Sequence, residues 1–353
     1  MTYLSKSPSL RLSLIGVALV LMGQACGVKS GPVGSAGIFY SPNQGETWTP
    51  KVKAGQDEEG EAITIEQVSI SQVMISPLTS NVLYAVAGPA GLYRSEDKAE
   101  SWQKIIAQPV SNLLLDAKDT QVAYVVSGQT LWRTKDYGKN WSVIYIEATL
   151  RAEINDITQN PVEPNKLYLA TGKGLVMLLS QNQGEAWQRV KIFDKPIIKL
   201  MFYPRDPKII YAIENGGVIW RSQDSGNSWS AITKNLQTQL KVKLGTFRDL
   251  VILPGAGEGL LYANSLGIYR SLDAGQNWSA LTLLTRPGSV NITALGINPK
   301  NANNIIYCAQ GVLFKSSDGG INWTTRRLPS PLAVTSLVVS PDDPNSIYIS
   351  LGQ

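Results

Sequence analysis

The sequence predicts an all-β fold, a single seven-bladed β-propeller whose blades each contain four antiparallel strands. Two repeated markers, and the phase in which they begin and end, support this prediction. The first marker is an octapeptide with the pattern S-x-D-x-G-x-x-W, which occurs seven times at intervals of 39 to 54 residues. The second is a turn-rich segment followed by an apolar strand that contains a Tyr, and it also occurs seven times. Repeats of about 45 residues with four short strands are typical of propeller blades.

The octapeptide has the composition of a tight hairpin between the third and fourth strands of a blade. Its Asp or Asn can accept hydrogen bonds from backbone N–H groups of the same turn, its Gly permits a positive φ angle, and its Trp begins the return strand. Ala99 is the one unconservative departure, because it replaces this Gly. We assign a structural role to the Asp or Asn and the Trp of each copy, namely Asn43 and Trp48, Asp97 and Trp102, Asp136 and Trp141, Asn182 and Trp187, Asp224 and Trp229, Asp273 and Trp278, and Asp318 and Trp323.

The Tyr marker predicts the second strand of each blade. An apolar run before the turn gives the first strand, and a short apolar segment after the Tyr strand gives the third. No segment longer than a turn or two shows helical periodicity. The marker residues are Tyr84, Tyr124, Tyr168, Tyr211, Tyr262, Tyr307 and Tyr348.

The phase of the repeat predicts how the ring closes. The repeats begin with a third strand near residue 37 and end after a second strand near residue 351. Residues 37–50 and 332–353 therefore supply complementary halves of one blade, which leaves no sheet pair open. The sequence predicts one propeller domain over residues 37–353.

The first 36 residues have the pattern of an export signal and a tether. Lys6 and Arg11 precede an apolar run of 11 residues, which is too short as a helix to cross a hydrocarbon core of about 30 Å. Residues 1–25 are predicted to be a signal peptide, and residues 26–36 a flexible tether. Cys26 follows a small residue and resembles the acylated cysteine of bacterial lipoproteins. We expect an exported protein at the bacterial cell envelope, lipid-anchored on the outer face of a membrane, with free secretion as the alternative.

The composition excludes several classes of active site. The chain contains no His, so a Ser-His-Asp triad, an imidazole base and a His-ligated zinc are all excluded. Two cysteines cannot form a Cys-rich metal site, and we expect neither a metal nor a cofactor. The formal net charge of +5 is too mild to predict a nucleic-acid partner.

The octapeptide resembles the Asp-box, or bacterial neuraminidase repeat. This repeat occurs in sialidases, xyloglucanase-type glycoside hydrolases, sortilin-type receptor propellers and propeller assembly factors of the photosystem II stability type. The resemblance covers residues 37–353 and implies a propeller of the BNR-like superfamily. It also implies that the Asp-boxes are structural and lie on outer hairpins, away from the central channel.

A glycoside hydrolase that uses carboxylates is one function implied by the resemblance. The aromatic-Arg-Ile-Pro segment typical of sialidases is absent, and xyloglucanase-type enzymes build their cleft between two propellers, whereas this sequence contains one. Paired catalytic carboxylates would lie ~5–9 Å apart. Asp156 and Asp249 occupy comparable first-strand positions in different blades, and they are the candidate catalytic pair.

Our main functional prediction is instead a non-catalytic scaffold that binds a protein or glycan at the cell envelope. Such a scaffold would be a monomer and would meet the membrane only through its lipid anchor. Recognition usually resides in long loops on a rigid framework. The candidate binding residues are Arg151 and, in the polar insert after Trp229, Lys241, Lys243 and Arg248. A protein similar to the photosystem II assembly factors is a second alternative, and a purely structural adhesion module is a third.

Overall fold

The computed structural model describes residues 36–56, 60–255, 257–285 and 291–352. These residues form seven four-stranded antiparallel sheets, which are the blades of a β-propeller. The predicted signal peptide, the tether and Cys26 lie outside the described residues. No helix in the described segments combines the length and apolarity that crossing a membrane would require.

The blades follow one another along the chain. The described chain begins with strands β1 (Gly37–Ser41) and β2 (Thr49–Pro50), which belong to the last blade. A two-stranded sheet of β3 (Lys53–Gln56) and β4 (Ala62–Thr64) follows them. Blade 1 consists of β5 (Gln72–Ile75), β6 (Leu83–Val86), β7 (Leu92–Ser95) and β8 (Gln103–Ile106). Blade 2 consists of β9 (Asn112–Leu115), β10 (Ala123–Ser127), β11 (Thr130–Thr134) and β12 (Ser142–Ile146). Blade 3 consists of β13 (Asp156–Gln159), β14 (Leu167–Thr171), β15 (Val176–Ser180) and β16 (Gln188–Ile192).

The remaining blades have the same order, with one helix between two of them. Blade 4 consists of β17 (Ile197–Phe202), β18 (Ile210–Glu214), β19 (Ile219–Ser222) and β20 (Ser230–Ala231), and helix α1 (Thr233–Leu240) follows it. Blade 5 consists of β21 (Phe247–Ile252), β22 (Leu260–Asn264), β23 (Gly267–Ser271) and β24 (Ser279–Ala280). Blade 6 consists of β25 (Ile292–Asn298), β26 (Asn301–Ala309), β27 (Val312–Ser316) and β28 (Thr324–Arg327). The last strands are β29 (Ala333–Val339) and β30 (Ile347–Gly352).

Blade 7 joins the two ends of the chain, as the phase of the repeats predicts. Its strand order is β2-β1-β30-β29. Strand β1 runs antiparallel to β30 along its whole length, from Gly37 opposite Leu351 to Ser41 opposite Ile347. The prediction of a ring closed by terminal strands is therefore confirmed.

Each Asp-box forms a hairpin that is held by its own side chains. In blade 4, the hydroxyl of Ser222 donates to Asp224 Oδ1 at 2.8 Å and accepts from the N–H of Gly226 at 2.8 Å. The same carboxylate accepts from the N–H of Ser228 at 2.8 Å. The Gly position requires a positive φ angle, and Ala99 adopts this conformation at φ 70° despite its side chain. The prediction of a tight turn is therefore confirmed, including at Ala99, where the Gly is replaced.

The marker tyrosines connect neighbouring blades. Their rings are buried in the cores between the sheets, and several of their hydroxyl groups reach the next blade. Tyr168 in blade 3 donates to the carbonyl of Ser225 in the Asp-box of blade 4 at 3.0 Å. Tyr348 in blade 7 donates to the carbonyl of Lys98 in the Asp-box of blade 1 at 3.3 Å. In blades 3 and 7, one residue of the repeat thus contributes both apolar area to the core and a polar contact with the next blade.

The polar insert after blade 4 contains a helix that the periodicity did not predict. Helix α1 packs against the Asp-box of blade 5, where Asn235 Nδ2 donates to the carbonyl of Gly275 at 3.1 Å. Gln239 Oε1 accepts from the N–H of Trp278 at 2.9 Å. The helix is only about two turns long, so its amphipathic pattern in the sequence is too short to distinguish from a loop.

The ring has two different faces because the strands within each blade alternate in direction. The Asp-box hairpins join third to fourth strands and lie on one face, which we call the Asp-box face. The connections between blades lead into the next first strand on the opposite face, which we call the loop face, although helix α1 within one of them packs against the Asp-box of blade 5. The first strands are innermost, and several contact the first strand of the neighbouring blade. Residues at the start of a first strand therefore lie in the channel towards the loop face.

Candidate functional site

Four polar residues lie near the start of the first strands of four consecutive blades. They are Asn112 in β9, Asp156 in β13, Lys199 in β17 and Asp249 in β21. We call this group the channel arc. Asn112 and Asp156 begin their strands, whereas a register shift next to Lys199 and another next to Asp249 adjust the backbone in blades 4 and 5. Apolar residues follow each of them and pack into the blade cores, so the polar side chains are the ones left for the channel.

Asp156 is held between the blades on either side of its own. Asn112 Nδ2 donates to Asp156 Oδ1, and the backbone N–H of Leu200 donates to Asp156 Oδ2 at 2.5 Å. The residue is only 8% exposed. Burial raises the pKa of the Asp156 carboxyl to about 6, against the opposing effects of the two hydrogen bonds and of the charge on Lys199. This carboxyl can consequently hold a proton at mildly acidic pH.

Asp249 has a different environment. Lys199 Nζ lies 2.7 Å from Asp249 Oδ1, and the N–H of Leu250 donates to the same oxygen at 2.8 Å. Burial acts to lower the pKa of Lys199, but the ion pair with Asp249 and the charge of Asp156 together raise it above its ordinary value. The ammonium group of Lys199 therefore stays charged beside the Asp249 side chain. The two side chains are 36% and 27% exposed, so solvent and ligands can reach this pair.

The two aspartates of the predicted carboxylate pair lie in different blades, and both contact strand β17 of the blade between them. Asp156 contacts the backbone of Leu200, and Asp249 contacts the side chain of the adjacent Lys199. The Asp156 carboxyl is buried and can hold a proton, whereas Asp249 is more exposed and lies beside a cation; general acid catalysis beside a second carboxylate needs two such different environments. Sequence reasoning named both aspartates but missed Asn112 and Lys199. The available signal was a lone polar residue near the start of an apolar first strand, as in Ile197-Ile198-Lys199-Leu200.

The four predicted binding residues are exposed on or beside connections between blades. Arg151 lies between β12 and β13 with a positive φ of 58°. Lys241 ends helix α1 in the left-handed conformation, and Lys243 lies two residues further along the insert. Arg248 occupies the register shift directly before Asp249. Of the four, only Arg248 is adjacent in the chain to a residue of the channel arc. Lys241 follows the end of helix α1 that contacts the Asp-box of blade 5 through Gln239, away from the start of the first strands.

The Asp-box residues are used within their own hairpins, on the face opposite the start of the first strands. Hydrogen bonds from Ser228 and Ser222 hold the pKa of Asp224 at about 2. Bonds from Asn322 and Ser316 hold the pKa of Asp318 at about 2 as well. Within the described part of the chain, no three acidic or cysteine side chains are grouped closely enough to bind a metal ion.

Comparison with known proteins supports the type of propeller. The family model Sortilin-Vps10 (sortilin, neurotensin receptor 3) matches residues 129–245. The GH74 enzyme of Niastella koreensis superposes with a TM-score of 0.67 at 16% identity, covering 89% of this chain and 53% of the enzyme. YCF48 from Cyanidioschyzon merolae superposes with a TM-score of 0.61 at 15% identity, covering 80% of this chain and 95% of YCF48. The chain is an Asp-box β-propeller.

The curated relatives of this Asp-box propeller include a xyloglucanase. Xyloglucanase Xgh74A of Acetivibrio thermocellus is 25% identical over 316 residues, which is 79% of this chain and 34% of the relative. The chain thus spans about a third of the length of the relative. Our main functional prediction, a non-catalytic binding scaffold, is contradicted by this relationship, and the glycoside hydrolase alternative is favoured instead. The repeats mislead here because Asp-box residues fix the fold, and a fold alone does not determine function.

Proposed function

We propose that this Asp-box propeller is a glycoside hydrolase that acts on β-glucans of the xyloglucan class. The observation that carries the proposal is the channel arc, in which two carboxylates with different environments lie on either side of Lys199. The relationship to a xyloglucanase over most of the chain supports the substrate class. Because the chain spans a third of that relative, its activity as one propeller is part of the proposal.

Asp156 acts as the general acid in this proposal. Its carboxyl is buried, its pKa is raised to about 6, and it can donate a proton to the oxygen of the glycosidic bond as that bond breaks. Asn112 and the N–H of Leu200 hold the carboxyl in one orientation before and after the transfer. The protein thereby aims the proton without needing a His, which the chain lacks.

Asp249 acts as the second carboxylate of the proposed pair. It accepts a proton from the water that bonds to the sugar carbon, while Asp156 protonates the departing oxygen, and its negative charge stabilises the oxocarbenium-like transition state. Lys199 holds the Asp249 side chain in place through the contact at 2.7 Å, and the partial exposure of both side chains gives a sugar access. Lys199 is a positioning residue for Asp249 in this scheme. Arg151 and Arg248, which lie on or beside the connections leading into β13 and β21, are proposed to contact the glycan beyond the cleaved bond.

Export to the cell envelope is the second part of the proposal. A secreted or surface-held enzyme would meet polymeric glycans directly, and the predicted signal peptide supports this location. Mass spectrometry of the mature N-terminus tests it: a diacylated Cys26 supports the lipid anchor, and cleavage after Ala25 with an unmodified Cys26 contradicts it.

Hydrolysis of xyloglucan tests the proposed activity. The purified full chain is incubated with xyloglucan and with its oligosaccharides, and new reducing ends are counted. We expect Asp249→Asn and Asp156→Asn each to lower kcat by about 10²- to 10⁴-fold, because each removes one of the two carboxyl functions. Asp194→Asn is the matched control, since this aspartate is exposed at the start of the same blade as Lys199.

Two results would contradict the proposal. One is a folded wild-type chain, with the circular dichroism of a β-protein, that releases no reducing ends. The other is an Asp249→Asn variant that is folded and as active as the Asp194→Asn control.

A further inference from the structure

A cavity lies on the Asp-box face, whereas the channel arc lies towards the loop face. It has a volume of about 560 Å³ and is formed between the outer strands of blade 1 and the Asp-box of blade 2. Arg94, Gln103 and Lys104 line it from blade 1, and Tyr137 and Lys139 line it from blade 2. Ile105 and Gly138 meet at its base, where a Cβ atom on Gly138 would lie 2.9 Å from Ile105 Cδ1.

The cavity carries an excess of positive charge. Three cations, Arg94, Lys104 and Lys139, face one carboxylate, Glu96, so the lining has a net charge of +2. Glu96 is already paired with Arg94. Lys104 Nζ lies 5.2 Å from the centre of the Tyr93 ring, a contact that leaves its N–H groups available. In the described part of the chain, neither lysine forms an ion pair with a carboxylate.

Tyr137 gives the cavity an exposed aromatic wall. The residue is 38% exposed and adopts a φ of 64°, which is unusual for a bulky side chain. The other six Asp-boxes place small or flexible residues at this position, namely Gln44, Lys98, Gln183, Ser225, Ala274 and Gly319. The guanidinium of Arg94 lies 5.4 Å from the centre of the Tyr137 ring and fixes its orientation. The Arg94 side chain is itself anchored by its bond to Tyr84 Oη at 3.1 Å.

The backbone of the cavity does not favour a phosphate group. Phosphate sites usually present several free backbone N–H groups. Here the N–H of Tyr137 donates to Gln121, the N–H of Gly138 donates to Thr134 Oγ1, and the N–H of Lys139 donates within the turn. The donors that remain are side chains: two ammonium groups and the amide of Gln103. These suit a carboxylate and neighbouring hydroxyl groups that lie beside a flat aromatic surface.

We propose that this cavity binds a carboxylate-bearing sugar, such as a uronic acid residue of an acidic glycan. The sugar ring stacks on Tyr137, its carboxylate lies between Lys104 and Lys139, and its hydroxyl groups bond Gln103. The site is separate from the channel arc and from the proposed hydrolysis of a xyloglucan-class polymer. It gives the propeller a means of holding an acidic polymer on one face while the other face carries the proposed catalytic groups.

Calorimetric titration with digalacturonic acid tests the proposal on the full chain. We expect digalacturonic acid to bind the wild type saturably. The neutral disaccharide cellobiose should bind at least about tenfold more weakly than digalacturonic acid. Tyr137→Asn should weaken the binding of digalacturonic acid about tenfold while keeping the turn, because Asn tolerates a positive φ. The double variant Lys104→Gln with Lys139→Gln should weaken binding by a similar factor and reduce its dependence on salt. Lys135→Gln is the matched control, since Lys135 is exposed on the same hairpin but does not line the cavity.

Three outcomes would overturn the proposal. The first is no saturable binding of digalacturonic acid by a folded wild-type chain. The second is binding that Tyr137→Asn and the double lysine variant leave equal to the Lys135→Gln control, which would place the ligand elsewhere. The third is inorganic phosphate that competes as well as digalacturonic acid, which would show a general anion site. Because Asp249→Asn leaves this cavity intact, the variant should bind digalacturonic acid normally, so failure of hydrolysis and failure of this site are distinguishable.

Discussion

At the scale of single residues, the serine that begins an Asp-box is as important as the aspartate that gives the motif its name. Ser222 is 1% exposed, and its hydroxyl is both donor to Asp224 and acceptor from Gly226. In blade 2 a threonine stands at this position and makes the same two bonds, at 2.8 Å to Asp136 and 3.0 Å from Gly138. The hydroxyl, and not the small size of serine, is therefore the feature that the hairpin needs.

Ser222→Ala tests this conclusion. Removal of the hydroxyl leaves the buried N–H of Gly226 without a partner, so we expect the free energy of unfolding to fall by about 1–3 kcal/mol. Ser222→Thr is the control and should change it by much less, since Thr134 already performs this role. Urea denaturation measures both. Equal losses for the two variants would show that packing, and not the hydrogen bond, holds the hairpin.

At the scale of elements, the blades are joined by polar contacts as well as by apolar cores. Arg221 in β19 pairs with Glu258 in the loop between β21 and β22, and Tyr211 donates to the same carboxylate. The Arg and Glu side chains are 9% and 12% exposed. Blades 4 and 5 are thus locked together by an ion pair that water reaches poorly.

Glu258→Gln should be strongly destabilising. The substitution leaves the Arg221 guanidinium buried without its counter-charge, so we expect a loss of about 3 kcal/mol in the free energy of unfolding. The control is Glu185→Gln. Glu185 lies 4.0 Å from Arg133, which holds the equivalent position in blade 2, but the Glu185 side chain is 64% exposed. Glu185→Gln should lower the free energy of unfolding by less than about 1 kcal/mol. If the two variants lowered it by similar amounts, burial would not be what makes the Arg221–Glu258 pair important.

The repeats were predictable from the sequence because their residues act locally. An Asp-box closes on itself, so Ser222, Asp224 and Trp229 identify the hairpin wherever they occur. The links between blades were not predictable, because Tyr168 meets Ser225 only when two blades pack side by side. The same reason explains the candidate site: Asp156 and Asp249 were visible as polar residues in apolar strands, but the position of Lys199 between them depends on how three blades assemble.

At the scale of the whole molecule, the ring depends on its two ends meeting. Strands β29 and β30 complete blade 7, and β29 also contacts the first strands of blades 1 and 6. Without these strands, β1 would keep only its short pairing with the two residues of β2. The apolar core of blade 7, which includes Phe39, Ile347 and Ile349, would be opened to water.

Deletion of residues 332–353 should therefore destabilise the entire ring. We expect the deletion to lower the midpoint of one cooperative unfolding transition, because each blade is stabilised by its two neighbours. Thermal unfolding monitored by circular dichroism and by tryptophan fluorescence checks this. A truncated chain with the melting temperature of the full chain would contradict the closed ring.

The pH dependence of xyloglucan hydrolysis is the most direct test of the proposed role of the channel arc. Only the protonated form of Asp156 can donate a proton, and its pKa of about 6 lies above the ordinary value for aspartate. As the pH rises through about 6, kcat/KM of the full chain should begin to fall and then decrease about tenfold for each further pH unit. An active wild type whose kcat/KM stays constant or rises between pH 6 and pH 8 would contradict this account.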